Sequence, residues 1–393
     1  MVNITLKPNR EDALLRFHPW VFSGAIKEMD GKPKDGETVQ VLSNKGRMLG
    51  VGHYQEGSIT VRVLAFGEHT IDQDFWTAKI QNAYDFRSTI GLTDNNETNC
   101  YRLVHAEGDG LPGLVIDVYG DTAVVQAHSI GMYKSKHFIS KALQDVFGEK
   151  LKAIFNKSKE TLPKNYAMNV ENAYLFGQSG INEVLENGNK FSIDWEGGQK
   201  TGFFLDQRNN RDLLAHYSEG KTVLNSFCYT GGFSIYALKA GAKRVDSVDV
   251  SAKAMELTKQ NVALNGFKED EEHFSYSEEV LDFLKKNKNV YDVMVVDPPA
   301  FAKSLDKRHN AVQGYKRLNV MALQQIAKGG ILFTFSCSQV VDRDLFYGAI
   351  VAAAIEAGRQ VRVLHQLSQP PDHPVSLFHP EGSYLKGLVL QVE

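Results

Sequence analysis

The sequence predicts an α/β protein: a doubly wound, mostly parallel sheet in the C-terminal half, preceded by a β-rich domain and a small central α+β domain. Three observations predict it. From about residue 220, short apolar runs alternate with helical patterns, the rhythm of parallel strands joined by crossover helices. The first of those runs leads into a paired-glycine turn that opens a helix, and the second ends in an aspartate. The first 70 or so residues instead carry alternating apolar runs broken by turns.

The chain of 393 residues exceeds what one compact core usually holds, so two or three domains are expected. With 42% hydrophobic and 23% charged residues, the composition is that of an ordinary soluble chain. No apolar run approaches the ~20 residues that cross a bilayer. Met1-Val2-Asn3-Ile4-Thr5-Leu6-Lys7 lacks the apolar stretch of a secretory leader, so no membrane partner is expected. Cys100, Cys228 and Cys337 make neither a disulfide framework nor a metal-ligand spacing, which points to a reducing cytoplasm. A formal net charge of -3 argues against retention on nucleic acid by bulk electrostatics alone. It leaves room for a local basic face, and Lys150, Lys152, Lys157, Lys159 and Lys164 lie close together in sequence. The plain alternative for that cluster, and for the acidic run at 269–272, is a solvated surface.

In residues 1–70, the stretches 38–42 and 59–64 alternate and the turn 43–46 follows the first, which suggests a small barrel or sandwich. Residues 71–188 open on a helix over about 71–90, with Phe75, Ile80, Ala83 and Tyr84 among its apolar positions. A turn-rich Gly108-Asp109-Gly110-Leu111-Pro112-Gly113 precedes a hairpin of 114–119 and 123–127, closed at Gly120-Asp121. A helix over about 133–147 and strands near 152–156 and 190–195 follow. In residues 189–393 the strands are 222–225, 244–249, 291–296 and 331–335; helices lie at about 232–240 and from a Ser251 cap to near Gly266. Ligands of such sheets bind beyond the carboxyl ends of the strands, so the residues just past each strand are the candidates.

After the first strand comes Asn225-Ser226-Phe227-Cys228-Tyr229-Thr230-Gly231-Gly232-Phe233. Gly231 and Gly232 let the backbone turn tightly and approach a ligand, and the helix behind them offers free amides and a positive dipole end. Asp249, ending the second strand, can accept both hydroxyl protons of a ribose. A nicotinamide dehydrogenase shares this layout, but its third spaced glycine is missing here, and with it part of the cradle for a pyrophosphate. For the loop alone, a tight structural turn is the plain alternative.

The third relevant strand ends in Asp297-Pro298-Pro299-Ala300-Phe301. Two prolines cannot continue a ladder, so the chain leaves abruptly and Asp297 sits at the strand end beside the cleft. The next strand ends in Ser336-Cys337-Ser338, ahead of a helix that begins near Asp342. A helix N-terminus lowers a nearby thiol's pKa, so Cys337 is the candidate nucleophile. Cys228 and Cys100 read as small core residues.

These motifs resemble those of the 23S ribosomal RNA cytosine-5 methyltransferases of the RlmI type, and the resemblance spans nearly the whole chain. It is carried further by His18-Pro19-Trp20-Val21-Phe22-Ser23-Gly24-Ala25, Glu107-Gly108-Asp109-Gly110-Leu111-Pro112-Gly113, Thr201-Gly202-Phe203-Phe204-Leu205-Asp206-Gln207-Arg208 and Pro380-Glu381-Gly382-Ser383-Tyr384-Leu385-Lys386-Gly387. It implies a PUA-like RNA-binding domain over 1–70, a central domain over 71–188 and a Rossmann-like class I methyltransferase domain over 189–393. It further implies S-adenosylmethionine as cofactor and RNA, in particular ribosomal RNA, as partner, with a homodimer left open. By the same resemblance Asp249 meets the cofactor ribose, Asp206, Gln207 and Arg208 line the methionine end, and Glu278 or Glu279 approaches the adenine. Phe227, Tyr229, Thr230, Gly231, Gly232, Asp297 and Pro298 complete the pocket. The chain departs from the family at Ala300, where lysine is frequent; Lys303 is nearby. Unlike the related small-subunit enzymes, it has no cysteine in its Asp-Pro motif.

Cytosine chemistry gives Cys337 a task. Carbon 5 is a poor nucleophile until a thiolate adds to carbon 6 and breaks the aromaticity. Asp297 then meets the pyrimidine edge, and the base that removes the carbon 5 proton is open between His373 and a water. Phe301 either stacks on the flipped base or packs in its loop. Three alternatives remain: methylation of an exocyclic amine, for which Cys337 would be structural; a non-catalytic RNA-binding assembly factor; and a small-molecule methyltransferase, which would not need the N-terminal domains.

Overall fold

The computed structural model describes residues 1–302 and 304–393; Lys303 lies outside the described residues. The chain forms two units. Unit 1 comprises Met1–Val184, Ile193–Leu205 and Pro371–Gly382, and unit 2 comprises Leu185–Ser192, Asp206–Pro370 and Ser383–Glu393. Among the described residues no helix is long and apolar enough to cross a membrane.

Unit 1 begins with β1 (Val2–Leu6), the single-turn α1 (Asp12–Leu15), β2 (Trp20–Phe22), β3 (Ile26–Met29), β4 (Thr38–Leu42), β5 (Met48–Tyr54) and β6 (Ile59–Phe66). They form one sheet in the order β2-β6-β5-β4-β1-β3, antiparallel except where β1 meets β4. The alternation of β4 sends Val39 and Val41 inward onto Ile4, Leu6, Val61 and Val63. The second half of the unit holds α2 (Gln73–Thr89), β7 (Cys100–His105), β8 (Leu114–Tyr119), β9 (Thr122–Ala127), α3 (Ile130–Lys134), α4 (Lys136–Phe147), β10 (Ala153–Asn156), α5 (Lys164–Ala167) and β11 (Ala173–Gly177). Its sheet runs β11-β10-β9-β8-β7. Every residue of β8 and β9 is buried, so both faces are covered, in part by the packed pair α2 and α4. The helix expected over 133–147 is two helices: Ser129 caps α3, and the chain restarts at Ser135. Buried ion pairs tie the returning stretches into unit 1. Arg87 makes a two-pronged pair with Asp109 and donates to the Asp372 carbonyl at 2.7 Å. Arg102 grips Asp117, which also accepts from the Thr201 hydroxyl at 2.6 Å.

Lys157 does not belong to a solvated basic face. Its ammonium is buried and donates to the carbonyls of Trp195 and Gly198 at 2.5 and 2.6 Å, an internal use of a cation that charge counting cannot foresee.

Unit 2 begins inside β12 (Glu183–Glu186), which forms a two-stranded sheet with β13 (Asn189–Ser192). The strand expected near 190–195 therefore joins a hairpin, not the five-stranded sheet. There follow α6 (Arg208–Ala215), β14 (Thr222–Ser226), α7 (Gly232–Lys239), β15 (Arg244–Asp249), α8 (Ala252–Leu264), β16 (His273–Ser277), α9 (Val280–Lys286) and β17 (Tyr291–Val296). The remainder is α10 (Arg308–Gln325), β18 (Ile326–Ser336), α11 (Arg343–Ala357), β19 (Val361–Leu367) and β20 (Lys386–Val392). The seven strands run β16-β15-β14-β17-β18-β20-β19; the first five are parallel, and β20 is antiparallel to both neighbours. From β14 the chain builds outward first through β15 and β16, then returns to β17 on the other side. That reversal opens a crevice at the carboxyl ends of β14 and β17.

Candidate active site

The turn after β14 is shaped by three left-handed residues: Phe227 at φ 59°, Tyr229 at φ 48° and Gly231 at φ 78°. Non-glycine residues in that region store strain, which persists only where the surroundings enforce it. They do so here. Asp249 accepts from the Tyr229 amide at 3.0 Å and from the Ser251 amide at 2.9 Å, Thr258 donates to the Tyr229 carbonyl at 2.9 Å, and Asn261 donates to the Thr230 carbonyl at 2.9 Å. A Cβ on Gly231 would meet Thr258 Cγ2 at 2.7 Å, so both the φ angle and the space demand glycine. Gly232 rests 3.1 Å above Arg211 Cδ by the same measure. Phe227 packs on the core of unit 2, and Thr230 is buried.

Beneath the loop is a charge cluster unforeseen in the sequence. Glu186, fully buried, accepts from Arg211 Nε at 2.8 Å and Nη2 at 2.7 Å and from the Tyr236 hydroxyl at 3.0 Å; Arg208 Nε lies 3.5 Å away. Arg208 is thus engaged in this buried cluster.

Asp206 and Gln207 face the third strand. Gln207 donates to Asp297 Oδ2 at 2.9 Å and accepts from Asn210 at 2.6 Å. Asp206 Oδ2 accepts from the Tyr384 hydroxyl at 2.6 Å, while its Oδ1 is buried with no hydrogen-bond partner among the described residues. Burial, and then the nearby Asp206 carboxylate, push the Asp297 carboxyl up to about 7; the Gln207 bond and Arg211 pull the other way. Pro298 is buried behind it. Glu278 and Glu279 follow the end of β16; Glu278 is half-buried 3.4 Å from Lys286 Nζ, and Glu279 is exposed at the start of α9.

Asp297 and Cys337 follow the carboxyl ends of neighbouring parallel strands, β17 and β18. Cys337 is half-buried, in contrast to Cys100 and Cys228, both interior. Cys228 lies 3.6 Å from Met255 Sδ, and burial pushes its thiol well up. Two further groups frame Cys337. Lys386 pairs in register with Ser336 across β20, and its buried ammonium donates to the carbonyls of Ser338 at 2.6 Å and Tyr384 at 2.7 Å. Burial draws that ammonium down to about 8, against the opposing pull of Cys337. Tyr315 on α10 is fully buried; burial lifts its hydroxyl to about 12, and the charges of Cys337 and Asp297 act in the same direction. Its ring also packs 4.7 Å from that of Phe301, which is half-exposed. Lys386 stands within a motif shared with the resembled family, but nothing in the spacing gives it a role; Tyr315 and Glu186 carry no sequence signal. His373 belongs to unit 1, buried beside His105 with Asp372 at 3.1 Å.

A methyl donor of the S-adenosylmethionine kind fits this set. Its ammonium would satisfy the orphaned Asp206 Oδ1, which is costly to leave desolvated and unmatched. Its lack of phosphate suits a loop without the third spaced glycine.

The comparisons agree. A model of the S-adenosylmethionine-dependent methyltransferase family matches residues 154–389, and a PUA-like domain model matches residues 4–66. The chain is 42% identical over 403 residues to Ribosomal RNA large subunit methyltransferase I of Shewanella amazonensis, covering 100% of this chain and 99% of that protein. It is 41% identical to the protein of the same name from Aeromonas hydrophila, covering 99% of each. Two solved chains share the fold over 100% of both lengths. One is assigned as a SAM-dependent methyltransferase of Streptococcus mutans, with a TM-score of 0.84 and 24% identity; the other is assigned as a methyltransferase and is complexed with SAH, with a TM-score of 0.85 and 23% identity.

Proposed function

Because the chain belongs to the S-adenosylmethionine-dependent methyltransferases, and among them to the ribosomal RNA large subunit methyltransferase I family, we propose that it methylates carbon 5 of a cytosine in large-subunit ribosomal RNA, working in the cytoplasm. In this reading residues 1–70 help to hold the RNA, 71–188 form a central domain and 189–393 carry the chemistry. The observation that carries the proposal is the half-buried Cys337 beside the Lys386 ammonium, one strand from the raised Asp297 carboxyl.

Bound S-adenosylmethionine supplies an electrophilic methyl group. Asp206 holds the ammonium at its methionine end, Asp249 the ribose, and the loop from Phe227 to Gly232 shapes the wall between them; Glu278 or Glu279 meets the adenine. Cys337, as thiolate, adds to carbon 6 of the flipped-out cytosine. Asp297, its carboxyl pushed up to about 7 by burial, can carry the proton it donates to ring nitrogen 3, where charge accumulates. Carbon 5, now enamine-like, would take the methyl group from the donor's sulfonium, whose bond to the methyl carbon breaks and leaves S-adenosylhomocysteine. Transfer of its proton to a water expels the thiolate, and return of the nitrogen 3 proton to Asp297 restores the neutral ring. Phe301 offers a face on which the base can stack.

The test is incubation with tritiated S-adenosylmethionine and large-subunit RNA, followed by nucleoside analysis. Label in 5-methylcytosine, abolished in Cys337→Ala, is expected. Label in an N-methylated base, or near wild-type turnover by Cys337→Ala, overturns the covalent route.

A further inference from the structure

In unit 1, among residues that the proposed reaction does not use, two histidines and a glutamate converge from opposite ends of the sequence. His18 sits just before β2, while His379 and Glu381 lie on the Pro371–Gly382 stretch. One ligand atom from each falls within 4.8 Å of the others. His379 is 3% exposed, and neither of its ring nitrogens has a hydrogen-bond partner among the described residues. Buried polar atoms are rarely left so, and a missing ion is one of the few physical reasons for it. Glu381 spans the two imidazoles, with Oε1 3.7 Å from His18 Nε2 and Oε2 3.8 Å from His379 Nε2. These separations are too long for hydrogen bonds. They are close to the spacing of co-ligands: atoms each about 2.0–2.2 Å from a tetrahedral ion stand roughly 3.4 Å apart.

The imidazole of His379 is held in place by its neighbours. Its ring centroid lies 4.4 Å from Trp20 and 5.3 Å from His18, and Trp20 Nε1 is tethered to Glu107 at 2.9 Å. We propose that His18, His379 and Glu381 form a divalent-metal site, best suited to zinc, that pins the Pro371–Gly382 stretch to the start of β2. Two nitrogens and one carboxylate oxygen are a zinc donor set, and the half-exposed side of Glu381 leaves a fourth position for water. Loading has a structural cost. His18 Nδ1 accepts from the Trp20 amide at 3.2 Å; ligation through Nε2 moves the ring proton to Nδ1 and gives up that bond. Affinity on the order of micromolar is therefore expected, well short of a closed structural site.

The full chain is stripped with a chelator, dialysed and titrated with zinc chloride, and bound metal is measured by atomic emission. Copper(II) in a parallel titration reads the same site through quenching of the adjacent Trp20. One zinc per chain is expected, with the thermal midpoint rising on loading. His379→Phe keeps the ring packing on Trp20 and should lose the zinc. Glu381→Gln, at an exposed position that does not threaten folding, should bind at least tenfold more weakly. No zinc bound by the wild-type chain overturns the proposal. So does zinc bound equally by both variants, which would place the ion on other histidines.

Discussion

Replacing Glu186 by Gln keeps the shape of the side chain and removes its charge. The structure makes this severe. Glu186 is fully buried and faces both Arg211 and Arg208, whose side chains are 2% and 5% exposed. Removing one partner of a buried pair leaves an uncompensated charge and costs about 3–5 kcal/mol, and two guanidinium groups share the loss here. Against a total stability of about 5–15 kcal/mol, that is a large fraction. With a urea dependence of about 2 kcal/mol per molar, the midpoint should fall by roughly 2 M. The readout needs care, because all three tryptophans, Trp20, Trp76 and Trp195, belong to unit 1. Far-UV circular dichroism should therefore show an early loss of structure in unit 2 that tryptophan fluorescence follows weakly. Calorimetry should also show weaker cofactor binding, since Arg211 supports Gly232. A midpoint shift under about 0.5 M would mean the cluster is hydrated or loosely held, and would refute the argument.

Gly231→Ala forces a Cβ into Thr258 at a φ of 78°, so stability should drop by about 1–3 kcal/mol and S-adenosylmethionine affinity by at least tenfold in calorimetry; an unchanged affinity would remove the loop from the pocket. Asp297 keeps its proton in the folded state from its ordinary 3.8 up to about 7, while the unfolded chain loses it, so wild-type stability should fall across that window. Asp297→Asn should therefore gain on the wild type as pH rises from 4 to 7 and hold a constant lead above it, with methyl transfer lost; parallel urea titrations at several pH values check this. Lys386→Met removes the positive neighbour of Cys337, so alkylation by iodoacetamide should slow severalfold below pH 8, where the ammonium is charged, and match the wild type above it. Cys100 and Cys228, both interior, serve as unreactive controls in the same mass spectra.

Much of unit 2 was legible because its signals are local. The strands 222–225, 244–249, 291–296 and 331–335 all form, Ser251 caps α8 through the Ala254 amide, and Asp342 caps α11 just after Cys337. Of the paired glycines, Gly231 sits where a left-handed turn needs it, and Gly232 opens α7. Four features were not legible, each for a physical reason. The strand β16 has only five residues, two of them serines and one a histidine, and so lacks an apolar run. Lys157 and Glu186 look like surface charges until the fold supplies their partners from elsewhere in the sequence. Lys386 gains meaning only through its register with Ser336, a relation between positions 50 residues apart.

That register has a consequence for synthesis. β20 is laid between β18 and β19, so the gap in the sheet is closed by a strand made after both its neighbours. At about 5–20 residues per second, the ribosome delivers Lys386 roughly 2–10 s after Cys337. During that interval β18 presents an open hydrogen-bonding edge, a hazard for a nascent chain and a natural point for chaperone capture. The thiol meanwhile has no ammonium beside it and behaves as a common cysteine. Under the mechanism proposed above, the activation of Cys337 would arrive with the closing strand, and a half-made polypeptide would not yet carry an armed nucleophile among the electrophiles of the cell.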